Sequence, residues 1–214
     1  MTKKIILVVL ALLLLALPLA SCGKKTDVPK GMIKASKTEF YTMFVPDTWY
    51  VVETNSDVTL AQSKSEVLGT TELEPVTVNA MFWSIDQALW GKNDEAQAEF
   101  YKKYQEDMKG TFSEFTHIET KNSGYYEGAT EHTFGAKYGD IYYKYNMTVI
   151  IHNQIYYVIT FNFPQSNLKK GSDGKIVPSE SFNAAEFDDS KYADEIEKVV
   201  SNFKPEKYYG SDLC

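Results

Sequence analysis

Residues 127–163, EGATEHTFGAKYGDIYYKYNMTVIIHNQIYYVITFNF, decide the fold. β-Branched and aromatic residues fill three runs, 127–138, 141–151 and 155–163, and polar and apolar positions alternate along each, the period of a strand with two unlike faces. Gly139-Asp140 suits a two-residue hairpin turn. That turn sets Tyr138 opposite Ile141 and lays Phe134, Ala136 and His132 against Tyr145, Tyr143 and Met147, apolar against apolar. The next turn has two readings. A two-residue Asn153-Gln154 loop opposes Ile159 and Phe161 to Thr148 and Asn146. A three-residue His152-Asn153-Gln154 loop pairs Val149, Met147 and Tyr145 with Tyr157, Ile159 and Phe161. A one-residue slip exchanges the faces of a whole strand, so like-with-like pairing selects the longer loop.

The same register gathers polar residues on the opposite face. Thr133, Tyr142, Lys144, Asn146, Thr148, Tyr156, Thr160 and Asn162 form the candidate binding face, with Glu131 and Lys137 beside them. Hydroxyls, amides and an amine converging on rigid strands suit a polar ligand. A solvated or helix-covered face carries the same residues.

Working outward, Glu39–Pro46, Tyr50–Glu53, Val58–Gln62 and Val76–Trp83 read as four earlier strands, joined by Pro46-Asp47-Thr48, Asn55-Ser56-Asp57 and a longer link at 63–75. A helix follows: Asn93 can cap it, Ala96, Phe100, Tyr104 and Met108 recur at fourfold spacing, and Gly110 suits the position just past its end. A strand near 117–125 leads into the hairpins. A last helix carries Tyr192, Ile196, Val199, Val200 and Phe203 on one stripe, with Pro205 as its stop.

Phe40-Tyr41-Thr42-Met43-Phe44-Val45-Pro46-Asp47-Thr48-Trp49 resembles the F-x-(apolar)-x-V-P-x-x-W opening of PsbP-like domains, which include small bacterial lipoproteins of the DcrB type. Ile155–Pro164 is similar to that family's penultimate strand and Ile196–Lys204 to its closing helix, so the resemblance spans roughly 38–205. It implies an α+β fold, an α-β-α sandwich with a central, mainly antiparallel sheet flanked by helices. Trp49 is then a core anchor and Pro46 ends the first strand. The matching residues build core, and no shared active site transfers. The link at 63–75 and the loop at 165–185 depart from the family pattern, and member-specific function is expected there.

The N-terminus speaks to location. Met1-Thr2-Lys3-Lys4 precedes an apolar run of 13 residues, Ile5–Leu17, and then Pro18-Leu19-Ala20-Ser21-Cys22. This is the layout of a secretory signal, and the run is shorter than the roughly 20 residues that span a bilayer. Leu19-Ala20-Ser21-Cys22 resembles the bacterial lipobox, with cleavage between Ser21 and Cys22 and acylation of the Cys22 thiol. The expected organisation is a signal peptide at 1–21, a lipidated tether at 22–37, the domain at 38–205 and a tail at 206–214. Anchoring by two or more acyl chains is stable, since each buried methylene contributes about 0.8 kcal/mol. Gly23 is not the aspartate associated with inner-membrane retention, so an outer-membrane place stays open for a Gram-negative host.

Charge is uneven. Residues 23–37 carry five lysines against Asp27, whereas 38–214 carry 15 lysines against 28 acids, a net of −13. A basic tether of that length hugs an anionic leaflet and reaches roughly 20 Å while the acidic body stands off. The chain contains no arginine, and this with the acidic body excludes nucleic acid as a partner. The only other cysteine, Cys214, ends the chain, so no disulfide framework is expected.

Residues for catalysis do not assemble by spacing. His117 starts a strand, His152 lies in a turn, and His132 faces inward as an expected satisfied core residue. No zinc spacing, nucleophile elbow or phosphate loop occurs. Glu186, Asp188, Asp189, Asp194, Glu195 and Glu197 lack the alternation of a calcium loop, and Asp188 and Asp189 suit the start of the last helix. The expectation is a membrane-tethered extracytoplasmic lipoprotein, a non-enzymatic binding or accessory module for a membrane or envelope component, without cofactor or metal. The alternative is a small-ligand or ion receptor using the polar face.

Overall fold

A computed structural model describes residues 27–65, 67–68, 71–72, 74–112, 114–138, 141–165, 168–170, 176–178 and 189–206. Its centre is an antiparallel sheet of seven strands. In chain order these are β4 (Tyr50–Thr54), β5 (Val58–Gln62), β8 (Thr77–Ser84), β9 (Glu114–Asn122), β10 (Thr130–Tyr138), β11 (Ile141–His152) and β12 (Ile155–Gln165). Their order across the sheet is β4-β5-β8-β12-β11-β10-β9, so the two longest strands lie near the middle. Short hairpins, β6 (Val67–Leu68) with β7 (Thr71–Glu72) and β13 (Leu168–Lys170) with β14 (Ile176–Pro178), fall within the link at 63–75 and the loop at 165–185.

β10 and β11 pair as expected, Phe134 opposite Tyr145 and His132 opposite Met147. β11 and β12 do not. Val149 faces Val158, Met147 faces Thr160 and Tyr145 faces Asn162, the register of the shorter Asn153-Gln154 turn. Both turn residues have positive φ, 49° and 65°, the backbone of a type I′ turn whose twist matches the strands it joins. Like-with-like pairing misled because both faces of the sheet are covered. Thr148 and Thr160 are each 5% exposed, so hydroxyls lie among apolar residues on either side.

On one face, Phe134, Tyr145, Met147, Val149, Tyr156 and Val158 form a core beneath α1 (Asn93–Thr111). On the other, Val78, Ala80, Tyr157, Ile159, Phe161 and Phe163 pack against the N-terminal segment and α2 (Ala193–Ser201). One helix therefore covers each face, and sheet outweighs helix. In α2 the stripe Ile196, Val199 and Val200 is buried as its periodicity requires, and Phe203 follows it into the core. The helix ends at Ser201, short of Pro205. Pro205 instead belongs to β15 (Lys204–Pro205), which pairs with β2 (Tyr41–Thr42). Among the described residues no helix is long and apolar enough to cross a membrane.

The N-terminal segment departs from expectation twice. Glu39–Pro46 is two short strands, β2 and β3 (Phe44–Pro46), outside the central sheet, and Tyr41–Pro46 is buried along its whole length because it is enclosed from both sides. The domain also starts earlier than residue 38. β1 (Met32–Lys34) pairs with β3, Ala35 and Ser36 are buried, and the Ser36 hydroxyl donates to Tyr41 O while accepting from the Met43 N–H. The expected tether of 22–37 thus loses its last six residues to the fold. Trp49 is a core anchor, 5% exposed and edge-on to Phe161.

In α1, Asn93 is the first helical residue and Lys92 stands at the cap without a side-chain bond, while Asp94 and Glu95 complement the positive end of the helix. Gly110 lies inside the last turn, and the Phe112 N–H closes the end on Met108 O. Ala96 is the single α1 residue that is fully buried, so this helix sits on the sheet by few contacts. That loose seat opens a groove.

Candidate functional site

The corrected register divides the expected binding face. Thr133, Tyr142, Lys144, Asn146 and Thr148 stay on the α2 side, whereas Tyr156, Thr160 and Asn162 point to the α1 side. They do not form one platform.

On the α2 side, Thr133, Lys144, Asn146 and Thr148 line a small polar pocket of about 260 Å³. Asp189, just ahead of the 3-10 turn Ser190–Tyr192 that leads into α2, fills its entrance chemically. One carboxylate oxygen accepts from Lys144 Nζ at 3.0 Å and the other from Asn146 Nδ2 at 2.7 Å. The lysine and amide read as ligand contacts instead bind the helical layer to the sheet. Tyr142 stands apart, its hydroxyl donating to Glu114 Oε1 at 3.2 Å under the Lys137 ammonium. Glu186 and Asp188 lie outside the described residues, and among those described no three His, Cys, Asp or Glu side chains converge on a metal position.

His132 is buried as expected but only half satisfied. Nδ1 lies 2.9 Å from Thr120 Oγ1, which is also 2.9 Å from His117 Nε2. The ring stacks on Tyr101 at 3.8 Å, and Nε2 has no hydrogen-bond partner among the described residues. Burial, and next the neighbouring His117, push its pKa from 6.5 down to about 4. Between those values only the unfolded chain takes up the proton, so protonation favours unfolding. Stability is expected to be full above about pH 6.5 and to fall by about 3 kcal/mol as pH drops toward 4. His132→Gln should flatten that slope when urea midpoints at about pH 7 and about pH 4.5 are compared. An equally steep slope in the variant would assign the loss to other groups.

The larger space is on the α1 side, a groove of about 1170 Å³ between α1, the outer half of β8, and β12. Its floor holds Asn79, Thr160 and Asn162. Its walls are aromatic: Phe100 lies 4.9 Å from Tyr156, 5.8 Å from Trp83 and 6.0 Å from Tyr104. Trp83 and Trp90 are 42% and 43% exposed, unusual for the largest apolar side chains. They flank a 3-10 turn, Gln87–Leu89, capped by the Asp86 carboxylate on the Ala88 N–H. Trp90 Nε1 donates to Ile85 O at 3.1 Å and the Tyr156 hydroxyl to Ala96 O at 2.8 Å, which fix both rings in place. Burial raises the Tyr104 and Tyr145 phenols well above their usual range, so both stay neutral.

Sequence reasoning reached three residues of this groove, Tyr156, Thr160 and Asn162, for the wrong face. It missed Trp83, Trp90 and Phe100. The available signal was Trp83–Trp90, two tryptophans bracketing a turn that enters a helix whose apolar stripe is thin.

The chain matches no protein-family model and no curated protein. Among solved structures the fold is similar to the Ran-binding protein Mog1p of Saccharomyces cerevisiae, at 11% identity over 78% of this chain and 90% of that one, with a TM-score of 0.48. It is also similar to cyanobacterial PsbP (CyanoP) of Synechocystis sp. PCC 6803, at 15% identity over 90% and 99%, with a TM-score of 0.45.

Proposed function

We propose that this chain is a lipoprotein held at the extracytoplasmic face of a membrane through Cys22, and that its domain is a non-enzymatic binding module working through the α1 groove. The observation that carries the reading is the groove itself, because two half-exposed tryptophans and a wall of stacked rings are costly to leave in water unless something covers them. The tether is supported by the lipobox pattern ending at Cys22, and the partner is a membrane or envelope component within reach of a short link. β1 lies on the α2 side of the sheet, opposite the groove. The groove can then meet a ligand while the anchor stays in the bilayer.

A receptor for a small polar ligand or ion on the candidate face is the weaker reading, since Asp189 already holds Lys144 and Asn146. An enzymatic role ranks third. The imidazoles and hydroxyl of His117, Thr120 and His132 are brought together, but His132 is stacked under Tyr101 away from substrate-sized space.

A photo-crosslinking residue at Gln87, exposed at the groove, and another at Val52, exposed on β4, test the reading in intact cells. Gln87 is expected to yield a discrete adduct by mass spectrometry and Val52 none. Identical yields from both positions would remove the groove as the working surface.

A further inference from the structure

We infer that the α1 groove takes an organic ammonium ion carried on an apolar or aromatic body, a compound of the arylalkyl- or alkylamine class. The inference rests on the groove being a binding site and adds the chemistry of what enters it.

Three features select a cation. Asp86, Glu99 and Asp107 line the groove against one ammonium, Lys103, which lies 3.4 Å from Glu99. The local balance is therefore two negative charges, in a body whose residues 38–214 already carry −13. An anionic amphiphile meets repulsion there, and a cation is drawn in. The second feature is the aromatic wall. Trp83, Trp90 and Phe100 line the groove, and aromatic rings attract an alkylammonium through their negative quadrupole while covering its carbon chain. The third is the balance of hydrogen-bonding groups. The donors of Trp90, Tyr156 and Asn162 are engaged inside the fold, with Ile85 O, Ala96 O and Thr77 Oγ1. The amide oxygens of Asn79 and Gln154, both groove residues, are buried without a partner among the described residues, so a side-chain rotation toward an incoming N–H gains a bond. An ammonium group supplies donors only and fits that imbalance.

The test uses the full-length protein in lipid nanodiscs, with empty nanodiscs as the blank, titrated with three matched probes: 4-phenylbutylamine, 4-phenylbutan-1-ol and 4-phenylbutyrate. Tryptophan fluorescence reports binding, since Trp83 and Trp90 line the groove and Trp49 is buried elsewhere. The expected result is a saturable change with the amine, at least tenfold tighter than with the alcohol, and none with the carboxylate. The paired variant Glu99→Gln with Asp107→Asn should bring the amine down to the alcohol's affinity while leaving the circular dichroism spectrum and melting temperature unchanged. Equal affinity for amine and alcohol, or undiminished amine binding in the paired variant, would overturn the ammonium assignment and leave the groove standing. Failure of all three probes to bind saturably would remove the groove as a ligand site.

Discussion

Tyr41→Ala is expected to lower the free energy of unfolding by about 3–5 kcal/mol, the range for removing a large buried aromatic ring. Tyr41 is fully buried where the N-terminal segment, the sheet and the chain beyond α2 meet. Its ring stacks on Phe203 at 5.1 Å and meets Tyr157 and Phe82 edge-on at 6.4 and 6.2 Å. Its hydroxyl donates to Ala80 O at 2.9 Å and lies 3.0 Å from Thr59 Oγ1. Burial raises the phenol pKa, so the group stays a neutral donor. Truncation empties the junction and removes the hydroxyl's bonds to Thr59 and Ala80. Tyr41→Phe keeps the ring and removes only the hydrogen bonds, at about 1–2 kcal/mol. Urea unfolding of both variants with unchanged m separates the two contributions. Equal losses in both would mean that the ring packing at this junction stabilises little.

The second large effect concerns the anchor. With an alkyne-tagged fatty acid supplied to cells, the wild-type chain is expected to take up label, to lose residues 1–21 and to partition into detergent. Cys22→Ala should take up none and accumulate as the uncleaved precursor. Cys214→Ala separates the two thiols of the chain and should label like wild type. Loss of label from Cys214→Ala, or its persistence in Cys22→Ala, would sink the proposed lipid anchor. The magnitude follows from chain number: at about 0.8 kcal/mol per buried methylene one acyl chain binds reversibly, and two hold the protein on its membrane.

The strands and helices were largely legible because each carries its own period. The stripe Ile196, Val199 and Val200 marks α2, and the alternation of Phe134, Ala136 and Tyr138 marks β10, by side-chain geometry that any chain obeys. The β10–β11 register was legible too, because there the apolar residues of both strands do share a face. Element ends were less so: Asn93 and Gly110 have the chemistry of caps, yet backbone bonds from Lys92 and Phe112 set the ends of α1.

The candidate site was legible only in part, and the reason is one turn. The pattern of β12 is nearly continuous in apolar and hydroxyl residues, so either face could have been chosen. The backbone of Asn153-Gln154, both residues in the left-handed region, chose it. With that choice Tyr156, Thr160 and Asn162 came to line a groove, and Lys144 and Asn146 became partners of the chain's own Asp189.

The order of the central strands and the two helices, the acidic arginine-free body and the Cys22 motif were thus determined by the sequence alone, since each follows from local pattern or composition, whereas the sandwich was an implication of the resemblance to PsbP-like domains. The tertiary structure alone decided which faces share a surface, that residues 32–36 belong to the domain, and that the thinly seated α1 leaves Trp83 and Trp90 lining open space. Those outcomes depend on contacts between residues far apart in the chain, such as Met32 with Pro46 and Asn146 with Asp189, and a local period carries no information about them.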